Sequence, residues 1–489
     1  MENKRFNNVL LVTIPYKDSY YKPGDMPETG IGYISESIKQ AGIGYDILDM
    51  TLGQSINDFF EKVRTMLPDL IGFSMKTYRF DETYEFYKKV KQEFPNVPII
   101  VGGPHISIFR ETALSDCQAI DFGAVQEGEE TMVELCTGKP LNEIKGLIYK
   151  EDGKIKYNGD RQINFNLDKI PFPKYEKFEL EKYWYPSIYL ISSRGCPSKC
   201  TFCSLRLVIG EGWRYRSAKN IFEEIQYWYG KGRRIFEFAD DNFTLWKERV
   251  VELCNLIIES DMKAFFNCPN GVRADRVDKE LLDLMKKAGW VAMTFGVEVG
   301  TNEMLKDINK GETMEQIEKA IKDSIEAGLE VHLNFIIGFP RQTTADVEKE
   351  FELALKYPIR WANFSNLLPY PGTELYTEVI KKNYLIKPMN QYLANVATKA
   401  GLGKIAEPVL ETPELSREER IRLLKKAKQV QREMMRRYHI RRLKKEYGLT
   451  GLIIAKLYSR KIIPISVFNF ALDSSKRVKH KLGSKKKSN

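Results

Sequence analysis

A chain of 489 residues exceeds one ordinary hydrophobic core and points to two to four domains. Hydrophobic residues at 43% and charged residues at 29% give the balance of a folded soluble protein and exclude a disordered one, and no apolar run approaches the roughly 18–20 residues of a membrane helix. The formal charge of +10 is unevenly placed: from Glu414 onward there are 23 Lys and Arg against 6 Asp and Glu, which leaves the body before it mildly acidic.

In chain order, MENKRFNNVLLVTIP reads as a first buried strand over 8–15, because its apolar stretch is short and runs into Pro15 without a small-residue cleavage site. No signal peptide and a cytoplasmic location are therefore expected. A helix over 28–41 ends at Gly42, strands follow at 45–50 and 69–75, a helix at 81–94, and further strands at 97–103 and 119–125. Short apolar runs alternating with amphipathic helices predict a parallel, doubly wound sheet, with a ligand crevice at the carboxyl ends of its strands. Residues 144–187 break the rhythm as a hairpin turning at Asp152 and Gly153, then a Pro-rich linker. A second series of strands, at 188–193, 234–239, 263–268, 291–297, 329–337 and 359–367, is two short of a closed eight-stranded barrel and predicts an open (β/α)6 barrel. After about 375 strand signals fade, and 414–447 reads as a basic helix. The expected division is thus 1–143 as the Rossmann-like domain, 144–187 as hairpin and linker, 188–375 as the partial barrel, and 376–489 as a mainly helical region.

Seven cysteines, an odd count with one tight cluster, make a poor disulfide framework and a better metal site. Cys117, Cys136, Cys254 and Cys268 stand singly in apolar surroundings and read as small buried hydrophobes. The cluster is RGCPSKCTFC (194–203), with Cys196, Cys200 and Cys203 at the end of the first barrel strand. Three close thiolates can hold three irons of a cubane and leave the fourth open for chemistry; a structural zinc site would want a fourth Cys or His nearby, and none follows at the usual spacing.

The C-x3-C-x-aromatic-C pattern, with Phe202 before the last cysteine, resembles the signature of the radical S-adenosylmethionine (SAM) superfamily. That resemblance implies a [4Fe–4S] cluster whose open iron chelates SAM, and reductive cleavage of SAM to a 5′-deoxyadenosyl radical. It also implies roles further along the barrel. Asp240 and Asp241 in FADDNFT would face the amino end of SAM, Glu298 in GVEVG would bind its ribose, Arg273 in NGVRAD could pair with its carboxylate, and Phe202 could stack near its adenine. FIIGFPRQT (335–343) and LLPYPGTELY (367–376) are similar to recurrent stretches of one large subgroup.

A doubly wound domain ahead of such a cluster resembles the cobalamin (B12)-binding class. Ser74 in GFSM, Gly102 and Gly103 in VGGPH, and Gly128 in QEGEE would line the cofactor, the glycines letting backbone approach a large flat ligand. One departure stands out: the loop DSYYKPG (18–24) has Tyr20 near the position where related domains carry a cobalt-ligating histidine, which implies cobalamin without an imidazole ligand. His105 is expected to be structural. The methylthiotransferases acting on tRNA are a weaker resemblance, since Cys117 and Cys136 do not make the extra cysteine set their added domain brings.

The function these resemblances imply is cobalamin-dependent methyl transfer to an unactivated carbon of a small-molecule or lipid-like substrate, with electrons from a flavodoxin or ferredoxin. Oxidative ring closure on the same fold is the alternative, and a non-catalytic sensor with a nucleic-acid-binding tail is the rival of another class. In the tail, Leu423, Leu424, Val430, Met434 and Met435 lie among basic residues. They could pack on the barrel or rest on an anionic membrane surface, while nucleic acid is disfavoured because no RNA-binding module accompanies them.

Overall fold

The structure, a computed structural model, describes residues 4–15, 24–394 and 407–459, with side chains of the last helix described as far as Lys444. Five parallel strands come first: β1 Asn8–Thr13, β2 Gly44–Asp49, β3 Leu70–Ser74, β4 Ile99–Gly102 and β5 Phe122–Ala124. They lie in the order β2-β1-β3-β4-β5. Alternation sends Leu10, Val12, Ile71 and Phe73 to one face, where Phe59, Val63, Tyr87 and Val90 of the helices Ile56–Met66 and Phe80–Glu93 cover them. Val9, Leu11, Leu70 and Ile100 belong to a second apolar core shared with the helices Thr29–Gln40 and Glu129–Cys136 and with the barrel. Burial on both faces is why these strands read as continuous apolar runs.

The hairpin formed by β6 Leu147–Glu151 and β7 Lys154–Tyr157 turns at Asp152 and Gly153, both in the left-handed region. Rather than standing apart with the linker, it pairs antiparallel on β5 and supplies the last two strands of the first sheet. The short strand carried free edge groups, and the hairpin satisfies them.

The barrel strands are β8 Ile188–Leu190, β9 Ser193–Gly195, β10 Trp213–Tyr215, β11 Ile235–Phe238, β12 Phe265–Asn267, β13 Ala292–Glu298, β14 Glu330–Ile337 and β15 Trp361–Asn366. Of these, β8, β11 and β12 form one parallel set, β13, β14 and β15 another, and bridges from Phe266 to Trp290 and Val272 to Phe295 join them into a six-stranded open barrel. The run expected as one strand over 188–193 is broken. Asp240 takes the Ser192 N–H at 2.7 Å, and the chain re-forms as β9, antiparallel to β10.

The helix Arg417–Ser459 starts on a Ser416–Glu419 capping arrangement and runs longer than predicted. It packs on the helix Thr344–Lys356 and on β15, burying Leu423, Leu424, Val430 and Met434. Arg420, fully buried, donates to the Gly338 carbonyl at 2.6 Å. Gly338 has φ +112°, and a Cβ there would collide with that guanidinium. The apolar residues offered to a membrane surface are therefore used against the barrel. Among the described residues no helix is long and apolar enough to cross a membrane. Tyr20 and residues 460–489 lie outside the described residues, as do the side chains of 445–459.

Candidate active site

Two features meet where the first sheet abuts the barrel. The first is the cysteine loop after β9. Gly195, at φ +85°, packs so closely on the Gly212 carbonyl that any side chain would clash, and its N–H donates to Asp241 at 2.9 Å. The loop is fastened at four further points. Thr201 N–H donates to the Ile308 carbonyl (3.1 Å) and Leu375 N–H to the Thr201 carbonyl (3.0 Å); Asn309 donates to the Lys199 carbonyl (2.9 Å) and Arg273 to the Ser198 hydroxyl (2.9 Å). Cys196, Cys200 and Cys203 are free thiols on this one loop, with the Asn242 amide 3.8 Å from the Cys196 sulfur. Burial pushes the Cys200 thiol up to about 11 and Cys203 upward, so iron entering here would displace protons. A single loop carrying three thiols, with no fourth Cys or His donor on it among the described residues, fits a cubane with one open iron.

Beside the thiols, Glu298 ends β13 with φ +68°, a conformation uncommon for a side-chain-bearing residue. Its carboxylate folds back over Gly296, where a Cβ would lie 2.5 Å from Oε1. Lys310, 8% exposed, donates to Glu298 at 3.2 Å and stands 3.5 Å from Glu312. Burial opposes its charge, but Glu298, Glu312 and the Cys200 thiol outweigh burial and hold its pKa above the ordinary lysine value. Phe202 packs edge-on to the buried Phe339 at 5.4 Å.

Two predicted residues stand behind this site. Both oxygens of the buried Asp240 are taken, by Ser192 N–H and by the Ser192 and Ser193 hydroxyls. Arg273 spends its fork on Asp275 (2.8 and 3.0 Å), on Ser198 and on the carbonyls of Lys310 and Gly311. The guanidinium expected to meet a ligand carboxylate also fastens the cysteine loop, held by an acidic neighbour two residues on.

The second feature is a cavity of about 290 Å³ between sheet and barrel, lined by Ser74, Gly102, Gly103, Gly128 and Asp241 together. It runs from the carboxyl edge of the sheet down past Leu11, Gly72 and Ile100 to Ile34 and Met132 on the helices. Side chains would close it. A Cβ on Gly103 (φ +95°) would meet the Met75 carbonyl at 2.9 Å, one on Gly72 would meet Leu11 at 2.8 Å, and one on Gly128 would meet Ile34 at 3.2 Å. A glycine-lined cavity at the carboxyl edge of a doubly wound sheet, bordered on its other side by Arg194, Ala239 and Asp241 of the barrel, is where a large flat cofactor would be held. Asp241 faces it with its pKa raised by burial to about 6.

The barrel wall of the cavity carries a charge network that sequence reading missed. Arg194 donates to Glu127 (2.8 Å) and Glu129 (2.7 Å), the two residues flanking Gly128, and lies 4.8 Å over the Tyr33 ring. Arg214, also buried, joins at Glu127. The signal was present as Arg194 two residues before Cys196 and as the acidic pair within QEGEE. Lys310 and Asn242 carried no comparable mark. His105 is buried, bonded to the Tyr84 hydroxyl at 2.7 Å and stacked on Phe80; burial pushes its pKa down to about 3.

Comparison with known proteins agrees with this layout. Residues 190–354 match the family model of the radical SAM superfamily, and residues 22–136 that of the B12 binding domain. An uncharacterized methyltransferase of Pyrococcus horikoshii is 32% identical over 368 residues, covering 74% of this chain and 80% of that protein. The anaerobic magnesium-protoporphyrin IX monomethyl ester cyclase of Rubrivivax gelatinosus is 27% identical over 375 residues, 73% of this chain and 67% of its own. In fold, the chain superposes on the radical SAM methyltransferase TsrM from Kitasatospora setae, solved with cobalamin and a [4Fe–4S] cluster bound. The TM-score is 0.65 at 17% identity, over 85% of each chain. The chain belongs to the radical SAM superfamily, among the members that carry a B12-binding domain ahead of the barrel. It is an enzyme, its cofactors are a [4Fe–4S] cluster, SAM and cobalamin, and it needs a reductant and a small-molecule substrate.

Proposed function

We propose that this enzyme transfers a methyl group to an unactivated carbon of a small molecule. The observation that carries the reading is the shared wall: Asp241 lines the interdomain cavity and also holds the backbone N–H next to Cys196. A cofactor in that cavity and a cluster on that loop would face one reaction space. When bound, the cluster and SAM supply the hydrogen-abstracting radical and cobalamin the methyl group.

The chain's own residues do the holding. Cys196, Cys200 and Cys203 would hold three irons of the cluster, while Arg273 and Asp240 keep the loop in shape from behind. Glu298 and Lys310 form a charged pair beside Cys200 that would receive the polar groups of SAM, with Phe202 and Phe339 as an apolar side. Ser74, Gly102, Gly103 and Gly128 offer backbone to the cobalamin. Packing of the first sheet on the barrel excludes water from the radical.

Anaerobically reconstituted protein, supplied with cobalamin and with SAM bearing a CD3 methyl group, tests this. A product carrying CD3 is expected. Retention of neither cobalamin nor SAM-cleaving activity would sink the reading. Ring closure is a second reading, favoured by the match to the Rubrivivax cyclase; an unlabelled product two hydrogens lighter than its precursor would select it.

A further inference from the structure

The barrel lumen is polar where closed barrels of related build are filled with branched apolar side chains. Along β14, Val331, Leu333, Phe335 and Ile337 are buried under the helices, and the alternate face carries Glu330, His332 and Asn334. Strand register sets these in rungs: Thr294 beside His332 beside Trp361, then Gly296 beside Asn334 beside Asn363. Across the opening, Glu237 stands in register with Tyr189 and Asn267. The second rung lies toward Glu298, across a register shift after Gly296, and Ile336 is the one apolar residue on this face of β14 at the cluster end.

At that opposite end the lumen widens into a cavity of about 580 Å³. Glu237, Asn267, Thr294, His332 and Trp361 line it, and Tyr438 of the long basic helix forms part of its floor. The size falls within the range of small-molecule sites. The floor is fixed, since the Tyr438 hydroxyl donates to Glu330 at 2.6 Å and Gln431 to the Ala362 carbonyl at 2.9 Å. Burial, helped by Arg360, pushes His332 down to about 4, so near neutral pH it is an uncharged hydrogen-bonding ring. The lining therefore offers an amide, a hydroxyl, an imidazole, a carboxyl group and the guanidinium groups of Arg360 and Arg442 around the aromatic Trp361 and Tyr438, with Val291 and Met435 as its apolar part. A hydrocarbon tail placed there would strip these groups of water and return no hydrogen bonds.

We infer that this basin receives the remote end of the substrate, and that the substrate is a compact, water-soluble molecule rich in hydrogen-bonding groups rather than a lipid. The inference rests on the proposed reading that the barrel works on a small molecule. It adds the chemical class and names Asn267 and His332 as residues that select it.

The probes are the two phases of a small-molecule extract of the source cells, methanol–water and chloroform, offered separately to reconstituted holoenzyme with CD3-labelled SAM. The methanol–water phase should raise 5′-deoxyadenosine formation about tenfold or more over SAM alone, because remote contacts are what commit the radical step. Stimulation by the chloroform phase only, or by neither phase, overturns the inference. His332→Phe and Asn267→Leu should each lose most of that stimulation while iron content, cobalamin content and SAM-only cleavage stay at wild-type levels. Undiminished stimulation in both variants also overturns it. The label separates the two claims: stimulated cleavage without CD3 in any product leaves the polar substrate standing and removes methyl transfer.

Discussion

The first sheet and the barrel make their sites in opposite ways. Along the sheet, function is prepared by side chains that are missing. Gly72, Gly103 and Gly128 keep a slot open, and adding a Cβ at any of them would press on Leu11, Met75 or Ile34. In the barrel, function is prepared by side chains that are present: three thiols on one loop, the Glu298–Lys310 pair, and a polar lumen. A cofactor that brings its own reactive centre needs room and backbone, whereas a cluster needs ligands. The difference teaches where substitutions should be silent and where they should be fatal.

The largest effect is expected at the ligands. Cys196→Ala, Cys200→Ala or Cys203→Ala should bring SAM cleavage to background, because two thiolates hold a cubane poorly. Iron content and 5′-deoxyadenosine yield check this, and wild-type yield from any of the three would break the contrast on its barrel side. Cobalamin binding to the sheet should survive each of these changes.

Next comes the charge network that joins the regions. Arg194→Met takes the cation from Glu129 while Arg214 still holds Glu127, and breaking a buried pair costs about 3–5 kcal/mol. Denaturant unfolding should show the loss, and spin coupling between Co(II) and the reduced cluster should weaken as the cysteine loop shifts against the sheet. A variant with unchanged stability and unchanged coupling would show that the two regions are held together elsewhere.

Glu298→Gln should weaken SAM binding by about 1.5–3 kcal/mol with iron content near normal, since charge-assisted hydrogen bonds are of that size. Equal SAM dissociation constants in variant and wild type would remove Glu298 from the site.

The smallest effect belongs to the sheet alone. His105 is buried and neutral with its pKa pushed down to about 3 by burial. The unfolded chain binds the proton near pH 6.5, so stability is full above that value and is lost as pH falls toward 3. At pH 5 the loss is about 2 kcal/mol. His105→Phe should flatten that part of the stability–pH curve, and an unchanged slope would place the acid sensitivity on another group.

What the sequence disclosed follows the same division. The cysteines announced themselves by spacing, because ligation of one small cluster demands closeness along the chain. The first βα series was legible because strands buried on both faces read as unbroken apolar runs, and the second because strands such as β14 alternate strictly. The strand pair Ser193–Gly195 and Trp213–Tyr215 was not: three residues carry no period, and Asp240, far along the chain, decides where the break falls. Arg273 was read as a partner for the SAM carboxylate; its fastening of the cysteine loop was not legible, since its partner Asp275 looks from sequence like any acidic residue. Lys310 was silent because pairing with Glu298 exists only once β13 and the following loop are folded.

The helix floor beneath the lumen has a consequence for synthesis. Asp241, which completes the wall of the interdomain cavity, emerges from the ribosome well before Tyr438, which closes the far end of the barrel. Roughly 200 residues separate them, a delay on the order of 10 s or more at ordinary elongation rates. Strands β12 to β15 are made within that interval, so the far end of the barrel stays open after the thiols and β15 are in place until the last helix follows. Docking of Arg420 on the Gly338 carbonyl, with the last helix laid on β15, is the contact that ends this open stage.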